Sequence, residues 1–480
     1  MTTNPSPPAT RETFQDFPGD VHGTLLRPGD AGYDKARAVF NGRGTDEGPA
    51  LIVQCADAGD VATVLRYASA TRTPVAVRGG GHADDDYAMP GGALVVDLSK
   101  MRSVTVDPAT RIVRAQPGVL LAELDAATQQ HGLVVPAGTV STTGLAGLTL
   151  GGGTGHLMRR FGATVDNLLG CEVVTLDGLH VRADEHTNAD LFWALRGGGG
   201  NFGVVVSFEY RAHPVGPAVV SGPIIYPIEQ AAGVLGALQA HMAAAPRELA
   251  LVAVVAPLPP LPMVPPQAHG QPVLILFPVY SADPAAAGEV IASLAALGQP
   301  LVNLVETRSW VETNSMFDDS SPYGKRLATR GGYLASLGPE AITPLLDQMR
   351  VAPRHAGAEC SALLWCLGGA ISEDVPEDAV AFSRAGAAWV WEAVAIWDEP
   401  EQDREYDEWA DRAVTLLRPY SLTNAYTNLT RDLGEQWRRG AFGAEAKYRR
   451  LQRIKAAWDP HNLFRYNKNI TPLDEGEAVR

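Results

Sequence analysis

The sequence predicts an α+β protein in two parts: a first region of mixed strands and helices, then a second whose largely antiparallel sheet is backed by helices. Three observations carry this reading. Short β-branched runs alternate with helical stretches from residue 51 to about 215. A Pro/Gly-marked linker at 213–217 then announces a change of composition. Beyond it, longer apolar runs interleave with helices, without the regular strand–helix–strand spacing of a parallel fold. A chain of 480 residues suits two or three domains and is long enough to bury a core without staples.

Taken in order, residues 1–20 are polar and rich in Pro and Thr, and read as a flexible arm without the apolar stretch of a secretion signal. Strands follow at 50–55, 74–78, 93–98, 111–118, 171–178 and 203–211, with helices at 60–70 and 120–132, the latter closed by Gly132. A period of two puts Val204, Val206, Phe208 and Tyr210 on one face of the last strand. These elements form a domain over 21–215. The second domain, 216–418, holds apolar strands at 248–256, 272–280, 360–369 and 387–397. Helices at 226–244, 282–296, 338–350 and 402–418 accompany them, and a Pro-rich loop spans 257–266. The last segment, 419–480, contains an amphipathic helix at 445–458 with Tyr448, Leu451, Ile454 and Trp458 on one side. Its other side carries Lys447, Arg449, Arg450, Arg453 and Lys455, read as a solvated basic face.

Apolar residues make up 46% and charged residues 19%, an ordinary globular composition. The net charge of −15 argues against nucleic acid or an anionic membrane as partner. No run of ~18 apolar residues occurs. Four cysteines, with no CxxC pair and no His-rich spacing, argue against a disulfide framework or zinc site and suit the cytoplasm. No resident metal is expected, and the sequence sets no oligomeric state.

Glycine is the unusual component, 49 residues clustered at 79–81, 151–153 and 197–200. Clustered glycine marks backbone that must approach something closely. RGGGH (78–82) follows a strand and can turn its amides inward as an anion nest, or form only a tight turn. The acidic run Asp84, Asp85 and Asp86 beside it reads as a solvated turn. Residues 136–162 hold eight glycines among small hydroxylated side chains but lack the spacing of an NAD fingerprint.

Four motifs occur in one order: RGGGH with VVDLSKM behind it; PAG…TGLAGLTLGGGTGHLMRRFGATVDNLL; DLFWALRGGGGNFGVV; and AYTN…WDPHNLFRYNKNITP. Together they resemble the berberine-bridge-enzyme-like FAD-linked oxidases, over essentially residues 30–472. The resemblance implies a two-part PCMH-type FAD-binding domain, 21–215 completed by 419–480, around a substrate domain at 216–418. It also implies that His82 carries the flavin covalently through its 8α-methyl group. Val140 stands where many relatives have a second linking Cys, so FAD bound through one histidine is expected. Around the cofactor the resemblance places Arg78, Gly79, Gly80, Gly81 and Ala83, then Ser141, Thr142, Thr143, Gly144, Gly147, Gly151, Gly152 and Gly155. From the C-terminal motif it adds Tyr426, Asn428, Asn467 and Asn469, with Lys468 replacing the usual Gln. Asp166 and Asn167 match a supporting element, and the small Thr143 leaves an approach for dioxygen.

Two residues are candidates for catalysis. Tyr426 serves as base only if neighbours lower a phenol pKa of ~10; otherwise it orients substrate or is a core tyrosine. Glu392 lies within WVWEAVAIW, either as a carboxylate with raised pKa suited to acid/base work or as an outward edge residue. Trp365 and Trp391 are candidates for the substrate wall. The expected activity is an FAD-dependent oxidase taking hydride from a C–H next to O or N of a small organic substrate, with O2 reoxidising the flavin to give H2O2. A flavin-dependent oxygenase and a non-catalytic flavin-binding protein are the alternatives.

Overall fold

The computed structural model describes residues 14–45, 47–260, 262 and 266–473. Most of the arm expected at 1–20 lies outside these residues. Its end does not behave as an arm: Phe17 is buried, and its ring meets Tyr67 edge-on at 5.0 Å. Two aromatic rings with apolar neighbours outweigh the polar composition around them.

Two small sheets form the first layer. One has the order Thr24–Leu26, Leu51–Gln54, Leu94–Asp97, Val75–Arg78, and its last three strands are parallel. The other is antiparallel: Val104–Asp107, Ile112–Ala115, Val204–Arg211, Leu168–Val174, His180–Asp184. The helix Ala58–Thr71 starts where the Asp57 carboxylate accepts the amides of Gly59 and Asp60. Its Val61, Val64, Leu65 and Ala68 pack between the sheets against Val174, Val204 and Val206. The expected common face of Val204, Val206, Phe208 and Tyr210 is broken, because Phe208 and Tyr210 join the other core with Val205. A register shift between Val205 and Ser207 is the reason: an extra residue inverts the alternation, so one strand feeds two cores.

The second part is a nine-stranded sheet paired antiparallel throughout, centred on Pro272–Tyr280, Leu249–Pro257, Glu359–Cys366, Trp389–Trp397 and Arg326–Leu334. The last of these was not foreseen; its two glycines and two arginines hide the strand that ends the sheet beside Trp389–Trp397. Helices Ala231–Ala244, Ala287–Ala295, Pro339–Arg350 and Asp403–Leu417 cover one face and bury Leu238, Leu345, Trp389, Trp391, Trp397 and Trp409. The opposite face, with Val252, Val254, Ile275 and Trp365, turns toward the glycine loops and Tyr426.

After Leu417 the chain returns to the first layer, where Phe442, Tyr448, Leu451, Ile454 and Ile470 complete the core of the five-stranded sheet. The helix Glu445–Trp458 is not lined by a wholly solvated basic face. Lys447 and Lys455 are buried. Lys455 Nζ donates to Asp459 Oδ2 at 2.5 Å and to the carbonyls of Asn201 and Phe464, both at 2.9 Å. Lys447 donates to Glu377 Oε1 at 2.8 Å. Their long stems cross the helix flank, and fixed acceptors replace water around the ammonium groups. No helix among the described residues is long and apolar enough to cross a membrane.

Candidate active site

A cavity of about 1090 Å³ opens between the glycine loops and the exposed-core face of the large sheet. That is the upper end of the range for small-molecule sites, room for a dinucleotide with a substrate beside it. One wall begins where the strand Val75–Arg78 ends. The next residues, Gly79, Gly80, Gly81, His82 and Ala83, all line the cavity. Gly80 touches the backbone of Gly144, so closely that a Cβ on either would collide with the other's main chain. Two loops 64 positions apart thereby become one wall, which only glycine permits. Thr143, Gly147 and Gly151 extend it, and Asn428 and Asn467 reach it from the returning segment.

The third glycine cluster closes the same wall. Gly197 has φ +123°, and a Cβ there would strike the backbone of Phe382, whose amide donates to the Arg196 carbonyl at 2.8 Å. Gly198, Gly199 and Gly200 then face the cavity. Their sequence gave no mechanism because the crossing partner is nearly 200 residues away.

His82 stacks on Phe40 with ring centroids 3.6 Å apart and 14° between planes. Its Nε2 is buried without a hydrogen-bond partner. Burial pulls the imidazole down to about 4, so it is neutral and its lone pair is free to act as a nucleophile. Phe40 was missed, since 41 intervening residues carry no signal of the stack.

Several expected cofactor contacts stand behind the wall instead. Arg78 turns away, donating to the Ala36 carbonyl with Asp97 3.7 Å off, because side chains alternate along its strand. The Ser141 amide donates to Asp318 Oδ1 at 2.8 Å, while Thr142 and Asn469 each hold a buried oxygen without a partner. Gly152 lies against the Phe382 ring and Gly155 against the Ala137 carbonyl. None of these six residues lines the cavity. Asp166 supports the wall through Arg384, 2.9 Å away, and Asn167 donates to the carbonyls of Phe161 and Ala163 at 2.9 Å.

On the far side, Glu392 is 4% exposed in an interior strand, which removes the edge-residue alternative. Val390, Glu392, Val394 and Ile396 point one way along this strand, while Trp389, Trp391 and Trp397 point to the helices. Trp391 therefore leaves the substrate wall: its indole donates to Ser421 Oγ at 3.0 Å in the helix-backed core. Trp365 stays in the cavity, its indole donating to Glu392 Oε2, with Phe317 edge-on at 6.1 Å. Burial pushes Glu392 up to about 8, the charge of Asp84 adding to the shift and the Trp365 bond opposing it.

The solvated-turn reading of the acidic run fails at Asp84 and Asp85. Asp84 lines the cavity; its Oδ2 accepts the Thr329 amide at 3.0 Å and its Oδ1 is buried without a partner. Asp85 pairs with Lys468 at 3.0 Å. The side chain of Asp86 is outside what the structure describes. Folding the large sheet over this loop excludes the water that the sequence pattern suggested.

Tyr426 is buried in the wall. Its hydroxyl oxygen accepts from the Thr154 amide at 3.3 Å and from Asn428 Nδ2 at 3.2 Å. Burial raises its pKa despite these two donors, so the phenol keeps its proton.

A glycine-walled cavity of this size, with a neutral histidine whose Nε2 is buried and unpartnered in its wall, suits a flavin-type nucleotide. Sequence comparison agrees. The family model described as FAD binding domain matches residues 49–184, and that described as berberine and berberine like matches 425–471. An FAD-linked oxidoreductase of Dictyostelium discoideum is 28% identical over 465 residues, 96% of this chain and 97% of the relative. (R)-6-hydroxynicotine oxidase of Paenarthrobacter nicotinovorans is 29% identical over 472 residues, 95% and 98% of the two chains. The crystal structure of 6-hydroxy-D-nicotine oxidase from Arthrobacter nicotinovorans superimposes with a TM-score of 0.84 at 25% identity, covering 95% of this chain and 99% of that one. The chain is thus similar along nearly its whole length to FAD-linked oxidoreductases and carries the FAD-binding and berberine-like matches, and it is an FAD-dependent enzyme that oxidises a small organic substrate.

Proposed function

We propose that the FAD is held covalently through His82 alone and that the enzyme is an oxidase, removing hydride from a C–H beside O or N and passing the electrons to dioxygen as H2O2. The observation that carries this is the His82 imidazole: neutral, clamped by Phe40, with Nε2 buried and unpartnered in the cavity wall. Bound flavin supplies the redox chemistry, accepting two electrons from substrate. Val140 lines the cavity and offers no nucleophile for a second link. Glu392, at about 8, is suited to take the proton coupled to hydride loss, and Tyr426 to orient the substrate as a hydrogen-bond donor. Thr143, half-buried in the wall, leaves room for dioxygen. Asn428 and Asn467 complete the cradle. The four cysteines are free and buried, which suits the cytoplasmic location proposed for the enzyme.

Acid-precipitated protein is expected to stay yellow and to gain the mass of one FAD, and His82→Ala to lose both properties. Colour left in the supernatant of the wild-type protein, or the mass of FAD retained in the variant, would overturn attachment through His82. In labelled dioxygen, label confined to H2O2 supports the oxidase; label in the organic product makes the enzyme an oxygenase.

A further inference from the structure

We propose that Asp84 and Glu392 form a cation subsite, and that the substrate is a basic amine or N-heterocycle bound with its protonated nitrogen between the two carboxylates. This rests on the oxidase reading and narrows its substrate class. The pair joins the two halves of the molecule: Asp84 follows the His82 loop, whereas Glu392 projects from the large sheet. Asp84 Oδ1 is buried with no partner. Glu392 faces Gly331 across one strand and Leu363 across the other, and the Trp365 indole engages its Oε2, with no cationic side chain opposite it.

The rest of the cavity has the same sign. Asp319 and Glu359 also line it, and among the described lining residues there is no arginine and a single lysine. That lysine, Lys468, is engaged by Asp85. Asp84 and Glu392 lie inside and Asp319 and Glu359 are exposed; this acidic lining disfavours an anionic substrate, and the inner pair can ionise to balance a cation.

The surroundings of the pair say how such a cation is used. Burial brings Asp84 to about 7, with Asp85 raising it further and the Thr329 amide, Arg330 and Lys468 acting against the rise. Glu392 is pushed higher by burial and by Asp84, against the Trp365 indole. In the substrate-free protein at neutral pH Glu392 therefore stays mostly protonated and Asp84 sits close to its midpoint. An arriving ammonium stabilises the ionised form and releases protons. An ammonium has no lone pair to assist loss of hydride from the adjacent carbon. When a carboxylate takes its proton, the N–H bond breaks, an O–H bond forms on the carboxylate, and the electron pair stays on nitrogen. The free amine is then the hydride donor required by the oxidase reaction.

The test uses the holoenzyme, anaerobically, with nitrogen/oxygen pairs of matched shape: 2-phenylpyrrolidine against 2-phenyltetrahydrofuran and 2-phenylpiperidine against 2-phenyltetrahydropyran, with glucose and cellobiose as neutral sugars. Dissociation constants come from the perturbed flavin absorbance, and bleaching reports reduction. The amine of each pair should bind at least tenfold more tightly than its oxygen partner. Calorimetry at pH 7 in buffers of different ionisation enthalpy should show proton release on amine binding. Asp84→Asn and Glu392→Gln should each weaken amine binding tenfold or more, and oxygen-partner binding less than threefold. The neutral isosteres should keep the fold, read from melting temperature; the wild-type proton release stands independently of them. Bleaching by the oxygen compounds or sugars but not by the amines overturns the subsite and leaves the oxidase reading intact. Bleaching by no compound of either kind overturns the subsite and removes the support for the oxidase reading together.

Discussion

Tyr426 shows how burial decides a role that sequence left open. A phenol receiving two hydrogen bonds would ordinarily be easier to ionise, yet its enclosure outweighs both donors and its pKa rises. Tyr426→Phe should therefore remove a donor rather than a base. Loss of one hydrogen bond, ~1 kcal/mol, corresponds to about a fivefold fall in kcat/KM. The shape of the pH profile should not change; a basic limb that disappears in the variant would show that Tyr426 titrates during turnover. Glu392 differs because its pKa falls within the working range. Asp84 was illegible for a physical reason: its environment is made by a sheet more than 240 residues further along, and nothing adjacent to it in the chain encodes that burial.

At the level of elements, what could be read was what depends on neighbours in sequence. Strands with β-branched runs and helices with an apolar stripe were legible, and so were the loops that glycine alone can build. What escaped depends on register and crossing. One bulge inverted half of the strand Val204–Arg211, and alternation sent Trp391 to the helix side while leaving Glu392 and Trp365 in the cavity. The returning helix Glu445–Trp458 makes the same point, since its basic stripe hides two buried ammonium groups. Lys455→Met would leave Asp459 without its cation, although the amides of Leu463 and Phe464 still donate to it at 2.8 and 2.9 Å. Breaking a buried pair from one side costs ~3–5 kcal/mol. A denaturant titration should show that loss, and adding Asp459→Asn should recover part of it. At the glycine crossing, Gly144→Ala should force apart the two loops that Gly80 and Gly144 join. Reduced flavin content per protein, measured by absorbance, would follow.

The whole molecule encloses several titratable groups, and they push its stability in opposite directions with pH. His82 and His156 are held near 4 by burial, below the ~6.5 of an unfolded imidazole, so their contribution is lost as pH falls from ~6.5 through 4. Asp84 and Glu392 act the other way. Their folded values, about 7 and about 8, lie above unfolded values of ~3.9 and ~4.3. The folded state therefore binds more protons across that interval, and their contribution, complete below ~4, declines as pH rises through 7 and 8. Glu392→Gln and Asp84→Asn mimic the protonated forms and do not titrate. Comparing each variant with wild type at the same pH cancels the histidine effect, leaving the acid term. The variants should melt with the wild type near pH 4 and progressively above it as pH rises, by on the order of a few degrees, with the difference levelling beyond pH 8. Thermal scans of substrate-free protein at half-unit pH steps would trace this curve. A difference independent of pH would mean that the acids are ionised in the folded protein throughout, and that the cavity carries its negative charge before any substrate arrives.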